Sequence, residues 1–489
     1  MTKLITNVCK LSILFLVFTA LICCDKNNEV LEPAYKAVLA PGVEDLQFIN
    51  GIAHAKVDKD DIIAVFSTAS QTEFTYPYSI KMSTLKAESM VANHDNDVTK
   101  LKSPYKNVTL ANRIVDNHIN YINPLTKFEF GSKEIFWTYD LSDMSLFPNL
   151  PCIQFTAELK AQGKYCNVYV DENSQTIDYE DAEAIAQQFD QVAFPIVTNQ
   201  FGNPPITNSS SRVAIIMPLV FNGGIENELN PDGGSTGLFQ ENDLSPASEN
   251  NPYSNYRNTI FLNIGLYNDT NSFYLNKWRS ILSHEFQHMI SYGYHKGKEG
   301  MPIEEGKALL AEILSSYGLP NGDILQWSNI TGYQYDPSGI SILQMDYSMD
   351  NINGTYGMGL LWESYIYDRF GKKAIYDMVT SSLNNLDAVE AITDIPKQHL
   401  FAEWVQANII SGTTNNKIFK YETIDVEGDG GGRYFRPLIG FAALPDHAIP
   451  ETEEQHEVLS YGVNYFRADS PGDLIIKGKN IKVFIIKKH

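Results

Sequence analysis

A His-Glu-x-x-His pentapeptide inside an apolar segment is the feature that most constrains this chain. The pentapeptide runs from His284 to His288. Histidines four residues apart lie about 40° apart around an α-helix, so both imidazoles can reach one point. The flanking residues are mostly apolar, which predicts a buried helix from about 275 to 292. The chain must therefore fold around a helix that carries two imidazoles in its interior.

Two imidazoles on one buried helix are typical of a metal site. A catalytic zinc ion takes three protein ligands and leaves a fourth position open, and neutral imidazoles suit it. Glu285 follows the first histidine and is the predicted general base, which takes a proton from water activated by zinc and passes it to the leaving amine. The motif therefore predicts one catalytic zinc ion bound by His284 and His288, with Glu285 as the catalytic residue.

The third ligand is predicted on a second helix, from about 303 to 317. Glu305 lies near its start and shares one helical face with Glu312. Glu304 is the alternative ligand, but on a helix it points about 100° away from its neighbour. Gly306 is small, and we expect it to let the two metal-site helices approach each other closely. Glu305 is therefore the favoured third ligand.

These segments resemble the gluzincin metallopeptidases, in which His-Glu-x-x-His is followed by a Glu ligand in a Glu-Gly-x-Ala-like helix. Among them the chain looks most like the hyicolysin-type secreted neutral metallopeptidases. The resemblance covers about 165–410 and rests on the residues of 284–290, 305–312 and 356–371. It implies zinc, endopeptidase activity on proteins, and the ligands and base named above.

The resemblance also implies supporting residues around the ion. Glu312 is the predicted residue that orients a histidine ligand. Gluzincins need a donor for the oxyanion of the tetrahedral intermediate, and Tyr356 and His295 are the predicted candidates. Substrate is expected to bind as an extended strand against a sheet edge, formed by 213–217 or by 259–264.

The N-terminus has the composition of an export signal. Lys3 and Lys10 precede an apolar run over 11–23, which is short for a bilayer span and typical of a secretory signal. The run ends at two adjacent cysteines and resembles a bacterial lipoprotein signal, which makes Cys24 the predicted lipid-bearing residue. We therefore expect an exported protein of the bacterial cell envelope or surface, held at the lipid bilayer by an N-terminal acyl anchor; simple secretion is the alternative.

Cysteine usage agrees with export. After the N-terminal cysteines only Cys152 and Cys166 remain, an even number in a compartment that favours oxidation. A disulfide between them is the prediction, and two free buried thiols are the alternative.

The acidic charge of the chain excludes one class of partner. The formal net charge is −22 at pH 7, whereas a nucleic-acid binder needs a basic face that displaces counterions. An acidic segment with Asp232, Glu241 and Asp243 has side chains that could bind calcium, but its spacing does not match the EF-hand ligand pattern. A solvated loop is therefore the prediction there.

The residue pattern along the chain predicts a multidomain protein. Short apolar stretches between turn residues predict an N-terminal all-β, sandwich-like module. Alternating strand and helix patterns predict a central α+β domain, and the resemblance implies that this domain is of the zincin type. Consecutive glycines at 430–432 predict a linker, and the strands after it predict a small C-terminal β domain. The predicted segments are a signal peptide (1–23), a tether (24–40), the N-terminal β domain (41–160), the catalytic domain (161–424) and the C-terminal β domain (425–489).

The leading hypothesis is a zinc-dependent endopeptidase that acts on extracytoplasmic proteins or peptides. The alternative is a surface lipoprotein that binds proteins through its β modules and keeps a non-catalytic zinc site. The alternative is less favoured because a structural zinc site has no need for Glu285 and fills its fourth position with Cys or His. A zinc hydrolase of small peptides or non-peptide amides stays open as a third hypothesis.

Overall fold

The fold is taken from a computed structural model of the chain. The structure describes residues 37–69, 75–84, 129–140, 150–207, 212–219, 236–267, 277–317, 324–344, 351–424 and 448–488. The predicted signal peptide, Cys24, Asp232 and the glycine linker lie outside the described residues. Within these ranges, no helix combines the length and the apolar character that crossing a membrane requires.

The described strands form three sheets. Two sheets have four strands each, in the orders β1-β14-β3-β12 and β11-β4-β13-β2, and one has six strands in the order β5-β6-β7-β8-β10-β9. The strands are β1 (Val43–Asp45), β2 (Ile52–Val57), β3 (Ile62–Phe66), β4 (Thr75–Thr84), β5 (Lys133–Tyr139), β6 (Cys152–Gln162), β7 (Cys166–Asp171), β8 (Val213–Met217), β9 (Gly237–Leu238), β10 (Thr259–Leu262), β11 (Glu454–Leu459), β12 (Val463–Arg467), β13 (Gly472–Gly478) and β14 (Lys482–Ile486).

The two four-stranded sheets are built from both ends of the chain. The N-terminal strand β3 pairs on one side with β14 and on the other with β12, and β13 pairs with both β2 and β4. Ile63 and Val65 of β3 face the core shared by these two sheets, whereas Ile62, Ala64 and Phe66 face the helices. The continuous apolar run of β3 follows from burial on both faces.

This strand pairing corrects the predicted division of the β structure. The prediction of separate N-terminal and C-terminal β domains is wrong, because their strands alternate within the same sheets. Strands β5 and β6, assigned by sequence to the N-terminal module, belong to the six-stranded central sheet. The broader prediction of an α+β protein with β sheets near both ends and a helical centre is confirmed.

The end of the predicted tether is part of the fold. Val38 N donates a hydrogen bond of 2.7 Å to Oε1 of Glu403, and Ala40 N donates one of 2.9 Å to Oε1 of Gln406. Gln406 donates in turn to the carbonyl of Val38 at 3.0 Å. The chain is therefore fixed on the helical core before the first strand begins.

The helices confirm the predicted metal-site pair and add elements that the residue pattern did not show. The segment over 352–380 forms two helices, which are separated at Gly371, whose φ of 79° favours glycine. The described helices are α1 (Tyr179–Gln188), α2 (Phe194–Phe201), α3 (Lys277–His295), α4 (Met301–Leu314), α5 (Ile324–Tyr335), α6 (Ile352–Phe370), α7 (Lys372–Thr380), α8 (Asn385–Thr393) and α9 (Lys397–Ile410).

Helices α4 and α6 touch backbone to backbone. A Cβ atom added to Gly306 would lie 2.3 Å from the carbonyl oxygen of Gly359, and one added to Gly359 would lie 1.8 Å from that of Pro302. The prediction that Gly306 serves the contact between the two metal-site helices is therefore wrong. Its partner is α6, which supports α4 from the other side.

The strands predicted as possible substrate edges are interior. Strand β8 lies between β7 and β10, and β10 lies between β8 and β9. The edge strands of the six-stranded sheet are β5 and β9 in the described part of the chain. Strand β9 lies against α3, where a Cβ atom on Gly237 would meet Cγ2 of Ile281 at 2.3 Å. The edge beside the metal-site helix is therefore β9.

Cys152 and Cys166 are free thiols, so the predicted disulfide is wrong. Strands β6 and β7 form an antiparallel pair in which Gln162 lies opposite Asn167, next to Cys166. Cys152 begins β6 at the other end, about ten residues away, which is roughly 30 Å along a strand. A disulfide needs Cα atoms within about 7 Å. The even count of cysteines gave no information about this separation.

Candidate metal centre

The structure brings together His284, His288 and Glu305. The Nε2 atoms of the two histidines lie 3.1 Å apart. Oε2 of Glu305 lies 3.3 Å from Nε2 of His284 and 3.4 Å from Nε2 of His288. Helix α3 supplies both imidazoles from successive turns, and α4 supplies the carboxylate from its first turns. Among the described residues these three form the group able to hold a metal ion, and Glu304 is not part of it.

The three atoms fit the donor set and spacing of a tetrahedral metal site. Nitrogen and oxygen ligands 2.0–2.1 Å from zinc at tetrahedral angles lie roughly 3.3 Å from one another. Among the described residues, no donor is aligned for a hydrogen bond with the buried Oε2 of Glu305. A buried carboxylate oxygen in this state is unfavourable unless a cation binds it. The residues present therefore fit a bound divalent ion.

The pKa values of the ligand residues in the protein without an ion also favour a bound cation. Burial lowers the pKa of His284, but Glu305 and Glu312 outweigh it and raise the pKa to about 10. Burial favours the neutral form of Glu305, yet the two imidazoles hold the pKa of this carboxyl below its usual range. The imidazoles therefore sit in a strongly negative environment, where a metal cation competes with a bound proton.

Glu312 lies on the far side of the first histidine from the metal position. Its Oε1 lies 2.7 Å from Nδ1 of His284, which is the geometry expected of a carboxylate that orients a histidine ligand. Its Oε2 accepts hydrogen bonds from Nζ of Lys277 at 3.0 Å and from Nε2 of Gln326 at 3.3 Å. Lys277 and Gln326 were not predicted. The available signal was a lysine seven residues before His284, which places both on one helical face.

Glu285 lies between the metal-site helix and the sheet edge. Its Oε2 accepts a hydrogen bond of 2.7 Å from the backbone N–H of Phe239, the residue after β9. A Cβ atom on Gly237 would lie 3.1 Å from Oε1 of Glu285, so glycine lets the strand approach the carboxylate. Burial raises the pKa of Glu285, against the opposing effect of the two imidazoles. The carboxylate is thus held in one position beside the ligand triangle.

The two candidate oxyanion donors lie on different helices. His295 lies two helical turns beyond His288, roughly 10 Å along the helix axis, and its Nδ1 lies 2.9 Å from Oδ1 of Asn384. This distance removes His295 from the reaction centre. Tyr356 lies on α6, half-buried against the main core, and its role stays a prediction. Tyr292 lies one turn after His288 on the same helical face, and the centroid of its ring lies 5.8 Å from that of Phe239.

The predicted solvated loop is wrong for Asp243. This carboxylate is fully buried and accepts hydrogen bonds from the backbone N–H of Asn255 at 2.7 Å and from the hydroxyl of Thr259. Burial raises its pKa to about 6. Protein donors therefore occupy its oxygens, and it fixes the connection between β9 and β10. Glu241 is exposed, and calcium gains no support.

Comparison with known proteins identifies a distant relative. No protein-family model matches the chain. The chain is 26% identical over 245 residues to the neutral metalloprotease ShpI of Staphylococcus hyicus. The match covers 48% of this chain and 52% of the relative, so the chain spans about half the length of the curated relative it matches. The resemblance inferred from the motif is thereby confirmed: the chain is a distant homologue of a staphylococcal neutral metalloprotease, and its own fold brings His284, His288 and Glu305 together.

Proposed function

We propose that this protein is a zinc-dependent endopeptidase that hydrolyses peptide bonds of extracytoplasmic proteins. The observation that carries the proposal is the buried triangle of His284, His288 and Glu305, with Glu285 beside it. The distant similarity to a neutral metalloprotease supports the same chemistry. A structural zinc site has no use for a base held at this place.

The residues around the ion divide the work of hydrolysis. When bound, zinc supplies Lewis acidity, which polarises the scissile carbonyl and makes water more acidic. Glu285 accepts the proton of the attacking water and delivers it to the leaving nitrogen. The backbone N–H of Phe239 fixes its Oε2, so the carboxylate keeps its orientation during both transfers. Burial raises the pKa of Glu285 toward neutral pH, where a general base works best.

An extended substrate is proposed to pair with the edge of β9. This strand pairs with β10 on one side and is the last strand of its sheet in the described residues. It lies directly over α3, as the close approach of Gly237 to Ile281 shows. A peptide added to this edge runs past Glu285 and the ligand triangle, which is the arrangement that hydrolysis of an internal bond requires.

The N-terminal signal adds a proposal about location. Export and acylation at Cys24 follow from the resemblance of the N-terminus to lipoprotein signals. The protein then acts at the bacterial cell envelope, where its substrates are other exported proteins. A Cys24→Ser variant should lose incorporation of labelled fatty acid and leave the membrane fraction; unchanged labelling contradicts the anchor but leaves the peptidase proposal intact.

The test of the activity uses the full mature chain and an unfolded protein substrate. We expect about one zinc ion per chain by elemental analysis, cleavage that a chelator abolishes, and recovery on adding zinc. Glu285→Gln should bind zinc normally and cleave at least roughly a thousandfold more slowly, because the neutral amide cannot accept the proton.

Two other results decide against the proposal. Activity that survives the chelator or the Glu285→Gln substitution contradicts metal-assisted hydrolysis. Stoichiometric zinc without cleavage of any unfolded protein favours the alternative, a surface lipoprotein whose metal site is not catalytic.

A further inference from the structure

Lys277 is a buried cation on the same helix as the two imidazole ligands. It lies two turns before His284 and is only 7% exposed. Its Nζ lies 3.0 Å from Oε2 of Glu312, which is 1% exposed. Lysine is almost never buried without a partner of opposite charge. The ion pair is therefore a fixed internal feature, beyond the reach of solvent.

The carboxylate of Glu312 joins this cation to the metal site. Its Oε2 accepts from Lys277 and from Gln326, and Gln326 also donates to the carbonyl of Leu309 at 3.1 Å. Its Oε1 is left to face Nδ1 of His284 at 2.7 Å. Residues of three helices thus meet at the carboxylate of Glu312. The two donors to Oε2 fix the orientation of the carboxylate and so direct Oε1 toward His284.

We propose that Lys277 is a positioning residue of the metal site, which acts through Glu312 on His284. The inference rests on the proposed function, because it assumes that His284 binds the ion through Nε2. A proton on Nδ1 of His284 then donates to Oε1 of Glu312, and this bond fixes the tautomer and the ring plane. Lys277 supplies the counter-charge that keeps the carboxylate buried in this orientation.

The alternative role of Lys277 is purely structural. In that case the pair contributes to folding and has no specific effect on the ion. The two roles differ in one measurable quantity, the zinc dissociation constant of folded protein. The chain offers a matched control in the Arg369–Glu403 ion pair, which is also buried and which joins α6 to α9.

The experiment measures zinc affinity by competition with a chromophoric chelator at fixed pH, using the full chain after its fold is checked by circular dichroism. Lys277→Met should weaken zinc binding about 10- to 100-fold, the usual effect of losing a residue that supports a ligand. Lys277→Arg keeps the charge and should restore most of the affinity. Arg369→Met should lower the melting temperature but leave zinc affinity unchanged.

A second comparison sets the double variant Lys277→Met/Glu312→Gln beside the single variant Glu312→Gln. The neutral glutamine needs no counter-charge, so the added Lys277→Met substitution should not weaken zinc binding further. A further loss in the double variant, or wild-type affinity in Lys277→Met, overturns the proposal. If Lys277→Met fails to fold, this comparison decides alone. A wild-type chain that binds zinc but cleaves nothing removes the proposed function and leaves the positioning role standing.

Discussion

Replacing Gly359 with alanine should weaken zinc binding although this residue supplies no ligand atom. The added Cβ atom would start 1.8 Å from the carbonyl oxygen of Pro302, and real Cβ atoms essentially never come closer than 3.0 Å to another heavy atom. The atom in the way belongs to the backbone, so no side-chain rotation relieves the clash. Helix α4 must therefore move away from α6 by more than 1 Å.

The magnitude follows from the position of Glu305, one turn after Pro302 on the same helix. Metal–ligand distances tolerate errors of about 0.2 Å, so a displacement of about 1 Å takes Oε2 of Glu305 out of the ligand triangle. Overpacking of this kind costs about 1–3 kcal/mol of stability. We expect zinc affinity to fall by at least roughly tenfold, which corresponds to about 1.4 kcal/mol.

The assay compares Gly359→Ala with Gly357→Ala by chelator competition and thermal melting. A Cβ atom on Gly357 would lie 2.0 Å from the carbonyl oxygen of Asn329, so its clash is as severe but presses on α5. This helix carries no ligand and reaches the site only through the hydrogen bond of Gln326 to Glu312. Both variants should melt at lower temperature, and Gly359→Ala should lose more zinc affinity. Equal zinc affinities in the two variants would refute the reasoning that this crossing sets the position of Glu305.

Three further predictions follow from the site and the fold. Glu305→Gln should reduce zinc affinity by at least roughly a hundredfold by the same competition assay, because a neutral amide replaces the anionic ligand; wild-type affinity would exclude Glu305 as a ligand. Burial raises the pKa of Glu363 to about 8, so the folded protein holds more protons than the unfolded chain between the unfolded and folded pKa values, and stability falls as pH rises through that window. Glu363→Gln should therefore raise the melting temperature more at pH 8 than at pH 5, and an equal change at both would contradict a protonated Glu363. Peptide mapping of the unreduced, alkylated protein should find both Cys152 and Cys166 modified, whereas a peptide that joins them would contradict the strand arrangement.

The elements that the sequence predicted best are those whose evidence is local. The helix with His284 and His288 was predictable because two imidazoles and their apolar neighbours share one helical period. Strand β8 has the predicted bounds, since a short apolar run depends on neighbouring residues alone. The choice of Glu305 over Glu304 rested on the same helical geometry.

The errors concern contacts between distant parts of the chain. The continuous apolar run of β3 shows that both of its faces are buried, but it does not show that its partners β12 and β14 lie at the other end of the chain. The even number of cysteines could not show that Cys152 and Cys166 lie at opposite ends of the β6–β7 hairpin. Asp243 resembles a solvated loop residue until the donors that surround it are known.

By itself, the sequence determined the chemistry available to this protein: two imidazoles and a carboxylate at helical spacing, with a base next to the first histidine. The tertiary structure decided which residues serve that chemistry from outside the motif. Lys277 on α3 forms an ion pair with Glu312 on α4, and the backbone N–H of Phe239 at the sheet edge donates to Glu285. Such partners meet only when separate elements pack, because hydrogen bonds and ion pairs act over a few ångströms and here join residues that are far apart in the sequence.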